Sequence, residues 1–137
     1  MPVQVLLVED DTDLNWLLEQ ALRRAGYATA TAANACEALA HIRTRSFAVA
    51  LIDSNLPDQD GLRLAATIRR ESPATAAILL SGQFECGDAA IQAALDDGLL
   101  AGFVTKPFRL DDLWHIVEHA LAQRKEGCPA DGPHPGR

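Results

Sequence analysis

Val3-Gln4-Val5-Leu6-Leu7-Val8-Glu9-Asp10-Asp11 decides the fold, because an apolar run of strand length breaks abruptly into three consecutive carboxylates. A strand with one wet face alternates apolar and polar residues, whereas a near-continuous run marks a strand covered on both faces, as in a parallel sheet. Residues 47–52 and 76–80 read the same way, and residues 103–105 form a shorter run. Residues 27–31 alternate Ala with Thr and suit an edge strand.

Helical patterns lie between these runs. Leu14, Leu17, Leu18, Ala21, Leu22 and Ala25 form one apolar stripe that Gly26 ends, with Asp11, Thr12 and Asp13 as N-cap candidates. Asn34, three residues before Glu37, has the spacing of a capping box and opens a second helix to about residue 45. Residues 62–70, 89–97 and 110–123 complete the set. Strand and helix thus alternate five times. Right-handed crossovers then give a doubly wound five-stranded parallel sheet with five helices on its two faces. No internal repeat is present.

At 137 residues the chain fits one domain, and with 48% apolar but 5% aromatic residues its core must be built from Leu, Ile, Val and Ala. A net charge of −7 and a pI near 4.9 argue against direct nucleic-acid binding, which needs a clustered basic surface. Cys36, Cys86 and Cys128 are odd in number and widely spaced, which suggests neither a disulfide framework nor a zinc site. No apolar run approaches membrane-spanning length, and the chain enters a strand pattern without room for a signal peptide. The expectation is a soluble cytoplasmic protein with no membrane contact. From Glu126 onward the sequence is rich in Pro and Gly, so the expected organisation is a domain over residues 1–124 and a flexible tail or linker over 125–137.

In open α/β sheets ligands sit beyond the carboxyl ends of the strands. Here the first strand ends in Glu9-Asp10-Asp11, the third in Asp53, the fourth in Ser81-Gly82 and the fifth in Thr105-Lys106-Pro107. Carboxylates gathered with too few basic partners repel unless a cation joins them, and Mg²⁺ favours such oxygen ligands. Asp53 is then placed to act as a nucleophile toward phosphorus, since carboxylates form acyl phosphates. Mg²⁺ and Lys106 would neutralise the transferring group, and Ser81 would donate a hydrogen bond to it. Singly, each residue has a plainer reading. Asp11 and Asp13 are better explained as helix caps, and Asp53 precedes a turn-rich segment, Leu56-Pro57-Asp58-Gln59-Asp60-Gly61. Their convergence at four strand ends favours the chemical reading.

From residue 3 to about 124 the chain resembles a response-regulator receiver domain. The resemblance rests on Leu6-Leu7-Val8-Glu9-Asp10-Asp11, on Leu51-Ile52-Asp53-Ser54-Asn55-Leu56-Pro57 through Asp60-Gly61, on Leu79-Leu80-Ser81-Gly82, and on Phe103-Val104-Thr105-Lys106-Pro107-Phe108. It implies a flavodoxin-like fold with strand order 2-1-3-4-5. Asp53 would accept phosphate from a sensor histidine kinase or phosphotransfer protein, with Mg²⁺ held by Glu9, Asp10, Asp53 and the Asn55 backbone carbonyl. Ser81 and Lys106 would contact the phosphoryl group, and Phe103 would rotate after Ser81. The face of the fourth helix, fifth strand and fifth helix would then bind a downstream effector, with a homodimer as a further arrangement. Asn55 and Gln83 would tune hydrolysis of the acyl phosphate, and the Lys106-Pro107 peptide would be cis. The stretch between Ser81 and Lys106 departs from the family by a few extra residues, near 83–88 and 99–102.

The rivals are a haloacid-dehalogenase-like phosphatase, an FMN module and a receiver relic acting only through contacts. The first needs a second aspartate two residues after the nucleophile, where this chain has Asn55. The second needs a phosphate cradle after the first strand, where this chain has carboxylates. The retained acid, hydroxyl and lysine set argues against the third. His115 and His119 are spaced i, i+4 but lack a third ligand, so a solvated helix face explains them better. Trp114 reads equally as core or interface, and nothing basic flanks Cys86 to activate it.

Overall fold

A computed structural model describes residues 3–81, 89–106 and 108–126. Five strands, β1 (Gln4–Val8), β2 (Ala28–Ala32), β3 (Val49–Asp53), β4 (Ala76–Ser81) and β5 (Gly102–Thr105), alternate with five helices. The helices are α1 (Thr12–Arg24), α2 (Ala35–Thr44), α3 (Gly61–Glu71), α4 (Ala89–Asp96) and α5 (Leu110–Glu126). All strand pairs are parallel, and the order is β2-β1-β3-β4-β5. The less apolar second strand does lie at an edge.

The continuous apolar runs have the expected cause, because both sheet faces are covered. Leu6, Val8, Ala50, Ile52 and Leu79 pack against Ala35, Ala38, Leu64, Ile68 and Ile91, which puts α2, α3 and α4 on one face. Val5, Leu7, Leu51, Ile78 and Leu80 pack against Leu18, Leu22, Leu113 and Val117, which puts α1 and α5 on the other. The central strands β1, β3 and β4 therefore bury side chains that point to either face, whereas Thr105 at the end of edge strand β5 stays exposed.

Local signals set most boundaries. Asp11 caps α1 by accepting from the Asp13 and Leu14 N–H groups, and Gly26 ends the helix region at φ +97°. Asn34 caps α2 through the Glu37 N–H, but Glu37 reaches back to the Ala33 N–H instead of closing the expected box on Asn34. The stripe on α1 also needs correction. Leu18 and Leu22 are buried, whereas Leu17 is 50% exposed and Trp16 61% exposed. At about 100° per residue Leu17 sits a full step off the Leu18 face, past the reach of the sheet. α5 continues to Glu126, past the helix end expected at residue 123. Trp114 is half-buried against the α1–α5 core, with its ring centroid 6.4 Å from that of Tyr27. His115 and His119 are exposed.

Candidate functional site

The strand order reverses between β1 and β3, and their carboxyl ends deliver Glu9, Asp10 and Asp53 to one place. One carboxylate oxygen from each lies within 4.8 Å of the others. Glu9 and Asp53 are buried, while Asp10 opens to solvent. The fifth strand supplies the counter-charge. Lys106 Nζ lies 2.9 Å from Glu9 Oε1 and 3.4 Å from Asp53 Oδ1. Its backbone N–H donates to the Ser81 carbonyl at 2.6 Å, which fixes the start of the Lys106 side chain beside β4.

Both oxygens of Glu9 are engaged, Oε1 by Lys106 and Oε2 by the Asp11 N–H at 3.1 Å. Burial pushes the Glu9 carboxyl up; Lys106 and the Asp11 amide pull it down, Asp53 adds to the rise, and the net direction is upward. Burial alone would lower the Lys106 ammonium, but its hydrogen bond to Glu9 and the two nearby carboxylates raise it overall. The lysine is therefore charged at neutral pH and serves as the internal counter-ion of the cluster.

Ser81 closes β4 fully buried, in register with Thr105. Phe103 is half-buried against the α2–α4 core. Asn55 is exposed, and its N–H donates to Asp53 Oδ1 at 3.3 Å. Gln83, Cys86 and Pro107 lie outside the described residues. Asp11 is the α1 cap, as its plainer reading requires, whereas Asp13 is not a cap but a first-turn residue whose own N–H donates to Asp11.

Two residues near the site were missed in the sequence. Asn15 Nδ2 donates to the Glu9 carbonyl at 2.9 Å and pins the turn after β1. Its signal was a polar residue directly after Leu14 on a helix that starts at the acidic turn. Asp58, read as an ordinary turn residue, accepts from the Ala35 and Cys36 N–H groups of α2 at 2.9 and 3.0 Å. No local pattern announces that contact.

The arrangement defines a class: a flavodoxin-like α/β module with three carboxylates and one lysine at the switch point of its sheet. The family model of the response regulator receiver domain matches residues 5–118, and the chain belongs to that family. It is 32% identical over 122 residues to the DNA-binding transcriptional regulator NtrC of Salmonella typhimurium, covering 89% of this chain and 25% of that protein. It is 36% identical over 113 residues to the transcriptional regulatory protein KdpE of Staphylococcus aureus, covering 82% of this chain and 47% of that protein. The chain thus spans a quarter to a half of these regulators. Among solved structures, a CheY-like receiver domain protein from Methanospirillum hungatei matches with a TM-score of 0.82 and 28% identity, covering 91% of this chain and 98% of that one. The response regulator TrrA of Thermotoga maritima, in complex with Mg(2+)-BeF, matches with a TM-score of 0.73 and 27% identity, covering 87% and 99%. Among the described residues, no helix is long and apolar enough to cross a membrane.

Proposed function

We propose that Asp53 takes a phosphoryl group from a phosphohistidine on a sensor histidine kinase or phosphotransfer protein, and that the α4–β5–α5 face then engages a downstream effector. The reading is carried by Lys106 Nζ, 2.9 Å from Glu9 and 3.4 Å from Asp53 in a crevice of three carboxylates. A carboxylate oxygen of Asp53 attacks phosphorus, the O–P bond forms as the P–N bond to imidazole breaks, and the imidazole nitrogen takes up a proton. Lys106 donates to one phosphoryl oxygen and the Ser81 hydroxyl to another.

The donor set consists of hard oxygens, which fits Mg²⁺ held by Glu9, Asp10, Asp53 and the Asn55 backbone carbonyl. Mg²⁺ supplies charge neutralisation to the transferring group when bound. The similarity to a regulator crystallised with Mg(2+)-BeF supports that assignment. Drawing Ser81 toward phosphate frees space for Phe103 to rotate inward, and the α4–β5–α5 face shifts its population. Asn55 and Gln83 tune hydrolysis of the acyl phosphate, and the chain's own chemistry is confined to accepting and losing its phosphoryl group. In this reading it works in the cytoplasm, alone or as a homodimer, with residues 1–124 as the receiver unit and 125–137 as tail or linker.

Intact mass spectrometry after incubation with acetyl phosphate and Mg²⁺ tests the assignment. Wild type gains one phosphoryl group and Asp53→Asn gains none. Equal labelling of the variant would refute it.

A further inference from the structure

The loop between β3 and α3 is closed at its base and held at its tip by different means. At the base, Asn55 pairs with Asp60 in an antiparallel bridge, and the Gly61 N–H donates to the Ser54 carbonyl at 2.9 Å. Asp60 spends its carboxylate locally on the Leu62 N–H, as the cap of α3. Leu56 is buried, but Asn55, Pro57, Asp58 and Asp60 are exposed. A tip so exposed would wander unless something outside the loop held it.

Asp58 reaches out of the loop to α2. Its Oδ1 accepts from the Ala35 N–H at 2.9 Å and its Oδ2 from the Cys36 N–H at 3.0 Å, while Asn34 takes the Glu37 N–H at 2.8 Å. The first amides of α2 are thus divided between a local cap and a carboxylate more than twenty residues away in sequence. Ala35 is fully buried, so its N–H has no water to turn to if Asp58 leaves. A carboxylate at a helix N-terminus also meets the positive end of the dipole and makes charge-assisted hydrogen bonds. These amides hold the Asp58 carboxyl below the ordinary range, so it is ionised at neutral pH. At its other end α2 is tied to α3 by Arg43, whose Nε and Nη2 lie 2.9 and 3.0 Å from the two oxygens of Glu71.

We infer that Asp58 is a positioning residue, tying the tip of this loop to the N-terminus of α2 and so holding the Asn55 backbone where the metal-bound site needs a carbonyl. The inference rests on the proposed Mg²⁺ site. Asp58 never touches the reacting atoms. Its effect falls on metal affinity, through a backbone segment three residues away that is pinned opposite Asp60.

Mg²⁺ titration of the full chain followed by ¹H–¹⁵N NMR, for wild type, Asp58→Asn and Asp58→Ala, decides it. In Asp58→Ala the Ala35 and Cys36 amide resonances shift and Mg²⁺ affinity falls by about tenfold, as when an outer partner of a metal site is removed. Acetyl phosphate labelling at saturating Mg²⁺ is unchanged, because binding and not the chemical step is affected. Asp58→Asn keeps a carbonyl acceptor for one amide and falls between the two. If Asp58→Ala, or Asp58→Asn should the former not fold, binds Mg²⁺ as tightly as wild type, Asp58 is merely a helix cap and the inference fails, even where melting is lowered. Wild type that binds no Mg²⁺ also overturns it. Wild type that binds Mg²⁺ without labelling at Asp53 refutes the phosphoacceptor reading instead, and the affinity comparison still judges Asp58.

Discussion

Lys106→Met in metal-free protein tests whether the crevice is held together by its own lysine. At an effective dielectric of about 20, the Lys106–Glu9 contact at 2.9 Å contributes about 6 kcal/mol of Coulomb attraction and the Lys106–Asp53 contact at 3.4 Å about 5. The three carboxylate pairs, each within 4.8 Å, oppose this with at least about 3.5 kcal/mol apiece at the same dielectric. The repulsion is thus at least comparable to the attraction, and the burial of Glu9 adds a further penalty, in line with its raised carboxyl. Methionine keeps most of the side chain's length and apolar contact while removing the charge. The variant avoids the full loss by protonating Glu9, at about 3.7 kcal/mol for an ordinary glutamate at pH 7. Protonation also removes two repulsions and the burial penalty of the charge. The expected net loss is about 2–4 kcal/mol, near that for breaking a buried pair. It is measured by urea denaturation in EDTA. With Lys106 gone, the folded Glu9 carboxyl lies further above its unfolded value, so its contribution is complete below about pH 4.3 and is lost as pH rises. The gap to wild type should therefore narrow between pH 7 and pH 5.5 by up to about 2 kcal/mol, and Glu9→Gln/Lys106→Met should recover most of the loss. A variant as stable as wild type at pH 7, or a gap that ignores pH, would show that Lys106 does not neutralise the site.

Asp10 is exposed and has no hydrogen-bond partner among the described residues, so Asp10→Asn should raise metal-free stability by about 1 kcal/mol and blunt the stabilisation by Mg²⁺. A variant that melts below wild type in EDTA and responds equally to Mg²⁺ would separate Asp10 from the cluster. Gly61→Ala should cost about 3 kcal/mol or more and depress Asp53 labelling, because a Cβ there would stand 2.4 Å from the Asp53 carbonyl oxygen and 2.8 Å from Ser54 Cα, both backbone atoms. An unchanged urea midpoint would mean that the loop has slack which the close contact denies.

Three of the strands were legible because a sheet covered on both faces leaves little room for polar residues inside a strand, so residues 3–8, Gln4 apart, 47–52 and 76–80 stand out by composition. The acidic convergence followed from topology, since fixing the strand order fixes which ends meet. Leu17 misled because periodicity measures an angle, whereas burial needs the sheet to extend that far. Electrostatics was half legible. Repulsion among Glu9, Asp10 and Asp53 was visible, but not that Lys106 divides itself between two of them. Relief on neutralising Asp53 should accordingly be smaller than for Asp10, since Asp53→Asn also discards an ion pair. Asn15 and Asp58 were illegible for a common reason: each acts on a backbone group of another element, which no local pattern encodes.

Charge counting links this resting geometry to the proposed switch. Glu9, Asp10, Asp53 and Lys106 together carry two net negative charges, which one divalent cation would neutralise. Phosphorylating Asp53 replaces one negative charge by about two, so the site regains an excess of roughly one, sited on the phosphoryl oxygens. Lys106 is the cation in reach among the described residues, and at 3.4 Å from Asp53 it needs little movement to meet that excess. Doing so draws it from Glu9, whose buried carboxylate then depends on the Asp11 amide and the metal. The remaining phosphoryl oxygen must find a neutral donor, and Ser81, fully buried on the adjoining strand and joined to Lys106 through the backbone, is placed to supply one. In this account one added charge couples β4 to β5, and a movement of Ser81 is passed toward Phe103, which pairs with Leu79 two residues back along β4.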